Sequence, residues 1–346
     1  MRHGMSHAGR SGPGGFRLRT LFDGFTLALI ATVILAALLP GRGVVAQMLD
    51  GLSIAGIALL FFLHGARLSR EAIIAGLVNW KLHLVVLAST FAVFPLLGAG
   101  MAPLLAPWLA APVVIGFQYL CVLPSTVQSS IAFTSIARGN VPAAVCSASA
   151  SNLVGVFATP FLLAAVLTGD GPAGSPLDAI GSIVLELLVP FMAGHLLRPW
   201  IGASVARWKR LLAFTDRGTI LLVVYVAFGE SVVAGLWKGL PTGVIATTVL
   251  ASAALLAVVL LITTGIARLA GFDRADEVVI VFCGSKKSLA TGVPMARILF
   301  AGHPSLGLIV LPLMIFHQLQ LMVCAVLAQR YARSAEAFER HAGGGE

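Results

Sequence analysis

Charge is the first thing that this sequence lacks. Only 11% of its 346 residues are Asp, Glu, Lys or Arg, whereas 58% are hydrophobic and the mean hydropathy is +0.96. A soluble globular domain carries about a quarter of its residues as charged side chains. The scarcity of charge therefore excludes an ordinary soluble domain, and we expect nearly the whole chain to lie in a lipid bilayer.

Metal-binding and redox motifs are also missing from the sequence. The four cysteines lie singly in apolar runs, and neither a CxxC nor an HExxH spacing occurs. No nucleophile and base stand at a spacing that suggests covalent catalysis. We therefore expect no metal ion, no cofactor and no enzymatic activity.

The basic residues do not form a nucleic-acid surface, although the net charge is +9. Lysines and arginines stand at the ends of apolar segments, without the interleaved aromatic residues of a nucleic-acid patch. Their distribution follows the excess of positive charge on the cytoplasmic side of membrane proteins. We therefore expect the partner of this chain to be the lipid bilayer and not a nucleic acid. We also expect both termini to lie on the cytoplasmic side of a bacterial-type inner membrane.

Ten apolar segments have the length that crosses a bilayer, about 20 residues each. We place them at residues 17–39, 46–66, 79–101, 106–137, 142–167, 177–197, 213–236, 243–267, 276–300 and 305–329. The predicted fold class is an all-α polytopic membrane protein with ten transmembrane helices.

The fourth and ninth segments are interrupted by helix-breaking residues. Pro124 precedes a polar stretch in one, and residues 284–292 combine glycine, serine and threonine with two lysines in the other. Each interruption is fourth in a set of five segments, and paired interruptions mark the binding site of inverted-repeat carriers. We predict two inverted five-helix repeats with crossing broken helices four and nine. The predicted divisions are a cytoplasmic tail at 1–16, repeats at 17–168 and 176–332, and a cytoplasmic tail at 333–346.

Lys286 and Lys287 place positive charge inside the ninth segment. A charge at membrane depth costs a few kcal/mol even on the mildest scale, so intramembrane lysines are candidate functional groups. Neighbouring helical residues point about 100° apart, so one lysine can meet a solute while the other forms a structural contact. The alternative is that carboxylates neutralise both lysines. Glu186 and Glu230, in segments six and seven, are the candidate counter-ions or proton carriers.

Polar residues around the two interruptions are the remaining site candidates. Backbone groups freed by a helix break can coordinate an ion or a solute, although hydroxyls and amides can also simply satisfy the break. The candidates near the breaks are Gln128, Ser129, Ser130, Asn152, Ser285, Ser288 and Thr291. Thr90 is a weaker candidate. His317, Gln318 and Gln320 form a polar cluster in segment ten, for which we favour interhelical hydrogen bonding over a binding role.

Several short motifs resemble the bile acid:sodium symporter superfamily, specifically its SBF-like branch. The motifs are residues 62–68 (FLHGARL), 91–95 (FAVFP), 137–141 (ARGNV), 157–160 (FATP) and 283–296 (CGSKKSLATGVPMA). The resemblance covers almost the whole length of the chain. It implies ten helices, a panel domain, a core domain, and two broken helices that cross near the midplane of the membrane.

The sequence departs from the sodium-coupled members of that superfamily at the ion site. Those members bind sodium through a glutamate and a glutamine of the ninth helix, among other residues. Here the acidic position falls within 281–283, the neighbouring amides fall on Lys286 and Lys287, and the glutamine of the third helix falls on Thr90. The resemblance therefore does not imply sodium coupling, and it does not imply bile acid as substrate.

These observations predict a secondary transporter that moves a small organic anion by alternating access. The polar ends offer no room for an ATP-hydrolysing domain, so any transport is expected to be passive or driven by an ion gradient. One lysine would balance the charge of the anion, and burial, which disfavours a charged amine, would let it exchange a proton. The alternative is a membrane regulator of calcium homeostasis that keeps the carrier fold without net transport.

Overall fold

The computed structural model of the chain describes residues 24–67, 79–167, 185, 188–233, 235 and 242–342. Several predictions fall wholly or partly outside these residues, among them spans 17–39, 177–197 and 213–236 and the C-terminal tail 333–346. The N-terminal tail and Glu186 lie outside them, as does the junction between the two predicted repeats.

Helices account for nearly all of the described residues, and no strand occurs among them. The helices are α1 (Gly24–Leu38), α2 (Gly43–Arg67), α3 (Trp80–Leu105), α4 (Ala111–Val122), α5 (Gln128–Ile136), α6 (Val141–Val166), α7 (Val189–Arg207), α8 (Lys209–Val233), α9 (Thr242–Leu269), α10 (Arg274–Gly284), α11 (Leu289–Leu299) and α12 (Leu306–Ala342). The last helix continues into the predicted C-terminal tail, because alanine, glutamate and arginine there favour a helix.

Seven helical segments of the described part are long and apolar enough to cross a membrane. They belong to α2, α3, α6, α8, α9 and α12, with α10 and α11 together forming the seventh. The described chain is therefore an all-helical polytopic membrane protein. The count of ten spans and the inverted repeats stay predictions.

Large apolar side chains cover the outer surface of the helices. Leu96 is 73% exposed, Leu104 is 71% exposed and Leu261 is 74% exposed. Contiguous apolar surface of this kind is a liability in water, but it matches the acyl chains of a bilayer. These faces are therefore the lipid-contacting surface.

A π-helical turn interrupts α3 at Ser89–Val93. The Phe94 N–H bonds to the Ser89 carbonyl, five residues back, instead of to the carbonyl four residues back. The next acceptor in this register is Thr90, but Pro95 stands where its donor would be and has no N–H. The turn therefore leaves the Thr90 carbonyl free for another partner.

Helices α2 and α7 pack at backbone contact. A Cβ added to Gly65 would lie 1.9 Å from the carbonyl oxygen of Phe191, and one added to Gly194 would lie 1.9 Å from that of Phe62. Only glycine fits at both positions, as at small-residue interfaces in membranes generally. This contact fixes α2, which forms one wall of the cavity described below.

Candidate functional site

The two interruptions predicted from the sequence are present and touch each other. Helix α4 ends at Val122 and α5 begins at Gln128, while α10 ends at Gly284 and α11 begins at Leu289. The Ser288 N–H donates to the carbonyl oxygen of Pro124 at 2.9 Å. Four helix ends therefore converge on one region.

The local sequence explains where each helix stops and restarts. Leu123 turns to an extended conformation (φ −72°, ψ 154°) immediately before Pro124, which disfavours a helical residue before it. The Ser288 hydroxyl accepts a hydrogen bond from the Thr291 N–H at 3.2 Å, as an N-cap residue does at a helix start. Gly155 makes room, because a Cβ there would lie 2.6 Å from Pro124 Cβ.

Lys287 is fully buried, and its ammonium group is held by backbone carbonyls. Its Nζ atom donates to the carbonyl oxygens of Thr90 at 2.9 Å, Cys121 at 2.9 Å and Leu123 at 2.6 Å. The Phe94 ring centroid lies 4.0 Å from the same atom. All three donors of the ammonium are therefore used.

The carbonyls that receive Lys287 lack helical donors. Thr90 has lost its partner to the π-helical turn, and Cys121 and Leu123 belong to the C-terminal end of α4, where carbonyls have no partner in the helix. The negative end of the α4 dipole adds to the attraction. Lys287 thus joins α3, α4 and the break before α11.

Gln320 of α12 fixes the backbone of Lys287. Its Oε1 accepts from the Lys287 N–H at 2.9 Å, and its Nε2 donates to the Lys287 carbonyl at 2.9 Å. Gln320 belongs to the polar cluster of segment ten, for which the sequence favours interhelical hydrogen bonding. It lies on the same face of α12 as His317, three residues earlier, and its Nε2 lies 2.9 Å from His317 Nδ1.

Lys286 is also fully buried but has fewer hydrogen bonds. Its Nζ donates to the Ser129 carbonyl at 3.1 Å and lies 4.1 Å from the Phe133 ring centroid and 5.1 Å from that of Phe282. The aromatic faces partly replace the solvation that the ammonium has lost.

Neither lysine forms an ion pair with a carboxylate of the described residues. Neutralisation by Glu230 is therefore wrong as an explanation of the lysines. Glu230 binds Arg297 instead, at 2.9 Å between Oε2 and Nη1, and Asp50 binds the second terminal nitrogen of the same guanidinium. The Arg297 side chain is only 11% exposed, so its guanidinium has lost most of its hydration. The two carboxylates compensate for that loss.

A cavity of about 510 Å³ lies beside the meeting point of the broken helices. Asn152 of α6 organises its polar wall: Nδ2 donates to the Ser125 carbonyl at 2.8 Å, and Oδ1 accepts from the Thr291 hydroxyl at 2.9 Å. The predicted site residues that line the cavity are Gln128, Ser129, Asn152, Ser288, Thr291 and His317.

Other predicted site residues are directed into the protein instead. The Ser130 hydroxyl donates to the Phe282 carbonyl at 2.9 Å, and the Ser285 hydroxyl donates to the Val281 carbonyl at 2.6 Å. Neither lines the cavity, and the same holds for Thr90, Lys286, Lys287, Gln318 and Glu230. The binding roles predicted for all these residues stay predictions.

Charged residues line the cavity on α2 and α8, away from the breaks. The Arg67 Nη1 donates to Asp216 Oδ2 at 2.6 Å, and Arg217 and His64 line the same space. The Arg217 guanidinium lies 5.7 Å from the Phe25 ring and forms no ion pair within the described part of the chain. From the sequence, Arg67, Arg217 and His64 are expected only at the cytoplasmic ends of spans, because nothing local distinguishes them from ordinary orienting charges.

The rest of the cavity wall is apolar. Phe25, Phe61 and Phe191 contribute aromatic faces, and Leu153 and Ile220 contribute aliphatic surface. An apolar enclosure with a few convergent polar and charged groups is the usual form of a small-molecule site. An all-helical membrane protein with such a cavity against two interrupted helices is a secondary transporter.

The chain belongs to the SBF-like CPA transporter family, whose sequence model matches residues 23–333. The resemblance seen in the motifs is thus confirmed. A protein of Pseudomonas aeruginosa without an assigned function is 59% identical over 317 residues, which cover 92% of this chain and 95% of the relative. "Putative symporter YfeH" of Escherichia coli K12 is 54% identical over 326 residues, covering 92% and 96%. Sodium/bile acid cotransporter 7 of Rattus norvegicus is 29% identical over 313 residues, covering 88% and 90%.

Proposed function

We propose that this transporter moves a small organic anion with an apolar body by alternating access. The observation that carries the proposal is the composition of the cavity: aromatic and aliphatic walls, a polar wall at the helix breaks, and arginines at α2 and α8. The apolar walls suit the body of an amphipathic solute, and Arg217, without a carboxylate partner in the described part, suits its charge.

The counter-charge for the anion is Arg217 in this proposal rather than a lysine. The ammonium groups of Lys286 and Lys287 are directed to carbonyls and aromatic rings, and neither residue lines the cavity. The lysines then hold the crossing of the broken helices together. Arg67 can assist Arg217 once its bond to Asp216 opens.

The proposed architecture has ten spans in two inverted halves. Counting α4 with α5 and α10 with α11 as single broken helices gives ten helical segments among the described residues, which supports this proposal. The excess of positive charge supports a cytoplasmic position for the end of α2 that carries Arg67. In this orientation the part of the cavity lined by Arg67, Asp216 and Arg217 lies towards the cytoplasm.

The charge cluster at Arg297 lies at the opposite end of the same helices. Asp50 and Arg67 are 17 positions apart on α2, which corresponds to about 25 Å along a helix. Asp216 and Glu230 are 14 positions apart on α8, or about 21 Å. We propose that Arg297, Asp50 and Glu230 close the extracytoplasmic side while the cytoplasmic side is open.

Sodium is not the proposed coupling ion. The carbonyls of Thr90, Cys121 and Leu123 already bind the ammonium of Lys287, and a second cation nearby would be repelled. The name of the rat relative includes both sodium and bile acid. It makes a bile acid worth testing as a solute, without making sodium the driving ion here.

Solute uptake by purified protein in lipid vesicles tests the proposal. The panel contains carboxylates and sulfonates with aliphatic, aromatic and steroid bodies, including naphthalene-2-sulfonate and taurocholate. We expect uptake of at least one amphipathic anion, reduced about tenfold or more by Arg217→Gln, since a charged hydrogen bond contributes roughly 1.5–3 kcal/mol. Arg333→Gln, which removes the same charge from an exposed position on α12, should leave uptake unchanged. Absence of uptake and binding across the panel would contradict the proposal, as would full activity of Arg217→Gln.

A further inference from the structure

Asp216 has an oxygen atom without a partner in a buried position. The residue is 9% exposed, and its Oδ2 accepts from Arg67 at 2.6 Å. Its Oδ1 is buried, and no donor of the described residues reaches it. A buried acceptor left unpaired is unfavourable, and more so when it is charged. Within the described part of the chain, Arg67 is therefore the one hydrogen-bond donor to this carboxylate.

The same arginine is one of the two cationic groups that an anion in the cavity would meet. Arg67, Arg217 and Asp216 all line this space. An anion that binds Arg67 competes with Asp216 for the guanidinium. If the anion displaces Asp216 from Arg67, the carboxylate stays buried without its ion-pair partner, which is strongly unfavourable. Taking up a proton removes that cost, because the neutral carboxyl group needs no counter-charge.

We propose that Asp216 is the proton-binding group of this transporter and that it is protonated when the organic anion binds Arg67. The inference rests on the proposed function, since it concerns how the same cavity couples anion transport to an ion gradient. One proton from the aqueous phase binds Asp216 Oδ1 as one negative charge enters. The proton leaves when the anion leaves and Arg67 returns to Asp216. The charge within the cavity stays constant through binding and release.

The groups around Asp216 favour a proton over a metal cation. On its own helix it is followed by Arg217, α2 contributes His64 and Arg67, and α12 contributes His317. Helix α1 carries no titratable side chain between Gly24 and Leu38. A metal cation needs several oxygen ligands and would stand beside the guanidinium groups of Arg67 and Arg217, whereas a proton needs one oxygen atom.

Titratable groups elsewhere on the helices that pack against α8 do not line the cavity. Among the side chains that the structure describes they are His195, Arg198 and Arg207 of α7, Arg297 of α11, Cys324, Arg330, Tyr331 and Arg333 of α12, and Asp50 of α2. No second carboxylate among the described residues lines it. The two histidines are therefore the only rivals to Asp216, within that described lining, for a proton exchanged near neutral pH.

Coupling of this kind is reciprocal and measurable without a membrane. If anion binding takes up one proton, the dissociation constant rises about tenfold per pH unit over the range in which that proton is exchanged. The probe is naphthalene-2-sulfonate, with taurocholate as the second. A sulfonate stays ionised across this range, so any proton exchanged belongs to the protein.

Calorimetric titration of the purified full-length protein tests the proposal. Repeating each titration in phosphate and in Tris, which differ in heat of ionisation, gives the number of protons taken up per anion. We expect about one proton for the wild type. Asp216→Asn should bind the sulfonate with no proton uptake and with a dissociation constant that changes less than about twofold with pH. His64→Gln, His317→Gln and Asp50→Asn should keep the wild-type proton number.

Each alternative result has a definite meaning. Wild-type protein that binds a sulfonate without exchanging a proton overturns the proposal, even if Asp216→Asn does not fold. Proton uptake that is lost in a histidine variant and kept in Asp216→Asn assigns the proton elsewhere and also overturns it. Binding that requires sodium replaces the proton with a metal ion. Failure to bind either sulfonate, or any other anion of the panel, overturns the organic-anion function itself.

Discussion

The Nζ atom of Lys287 lies 2.6 Å from the carbonyl oxygen of Leu123, the first residue after α4. An ammonium group occupies a position where backbone oxygens from the π-helical turn of α3 and from the C-terminal end of α4 converge. The contact explains how a lysine can be buried in an apolar segment without a carboxylate partner. Its donors are satisfied by carbonyls that the fold would otherwise leave unpaired.

Replacement of Lys287 should destabilise the protein. Lys287→Met leaves the carbonyls of Thr90, Cys121 and Leu123 unpaired in a buried region, and we expect the free energy of unfolding to fall by about 3 kcal/mol. Lys286→Met, which removes one hydrogen bond and two aromatic contacts, should cost less. Unfolding in detergent micelles measures both. Equal stability of the Lys287 variant and the wild type would contradict the anchoring role.

Sodium should have no effect on the stability of the wild-type protein. Replacing choline chloride by sodium chloride at millimolar concentration should leave the melting temperature unchanged, because Lys287 already occupies the carbonyl site. In Lys287→Ala the carbonyls become available, and sodium should raise the melting temperature through preferential binding to the folded state. Stabilisation of the wild type by sodium would show that a separate cation site exists.

Replacing Gly65 by alanine should destabilise the protein, whereas the same replacement of Gly51 on the same helix should not. Gly65→Ala places a Cβ 1.9 Å from the Phe191 carbonyl oxygen and should separate α2 from α7, lowering the melting temperature. Gly51→Ala is the matched control, because no atom lies within 4 Å of its Cβ. This control should gain up to about 1 kcal/mol from helix propensity. A Gly65→Ala protein as stable as the Gly51→Ala protein would contradict the close contact.

Weakening the cluster at Arg297 should favour the conformation that opens on the opposite side. Asp50→Asn combined with Glu230→Gln removes both carboxylates from Arg297. A cysteine introduced at Ser149, which lines the cavity, should then react faster with a membrane-impermeant maleimide added outside intact cells. We expect an increase of severalfold over Ser149→Cys alone, because the closed state has lost two charged contacts. Unchanged labelling would mean that other contacts close this side.

The helix interruptions were predictable because their causes are local. Pro124 removes a donor, and the residues from Gly284 to Gly292 carry a serine N-cap and small side chains. The breaks follow from these residues alone. Their mutual contact, from Ser288 to Pro124, required the resemblance and the paired order of the interruptions.

The charged part of the cavity was not predictable from local sequence. Arg67 and Asp216 are 149 positions apart, and only the packing of α2 against α8 brings them to 2.6 Å. The hydrogen bond from the Lys287 ammonium to the Thr90 carbonyl likewise depends on Pro95, almost 200 positions earlier. Pro95 has no N–H, so it leaves the Thr90 carbonyl without a donor in the helix. In both cases tertiary structure determines the partner. The sequence shows where a charged residue lies along the chain, but it does not show which residue the charge contacts.

The bond between Lys287 and three carbonyls has a consequence for the transport cycle. A dissolved ion enters and leaves its site, so a carrier that relies on one is fully assembled only when the ion is bound. An ammonium on the polypeptide cannot diffuse away, and the junction of α3, α4 and α11 is complete at any ionic strength. In the proposed alternating-access cycle, the empty carrier would therefore begin its return with the same internal framework as the loaded one, whatever the salt concentration in the surroundings.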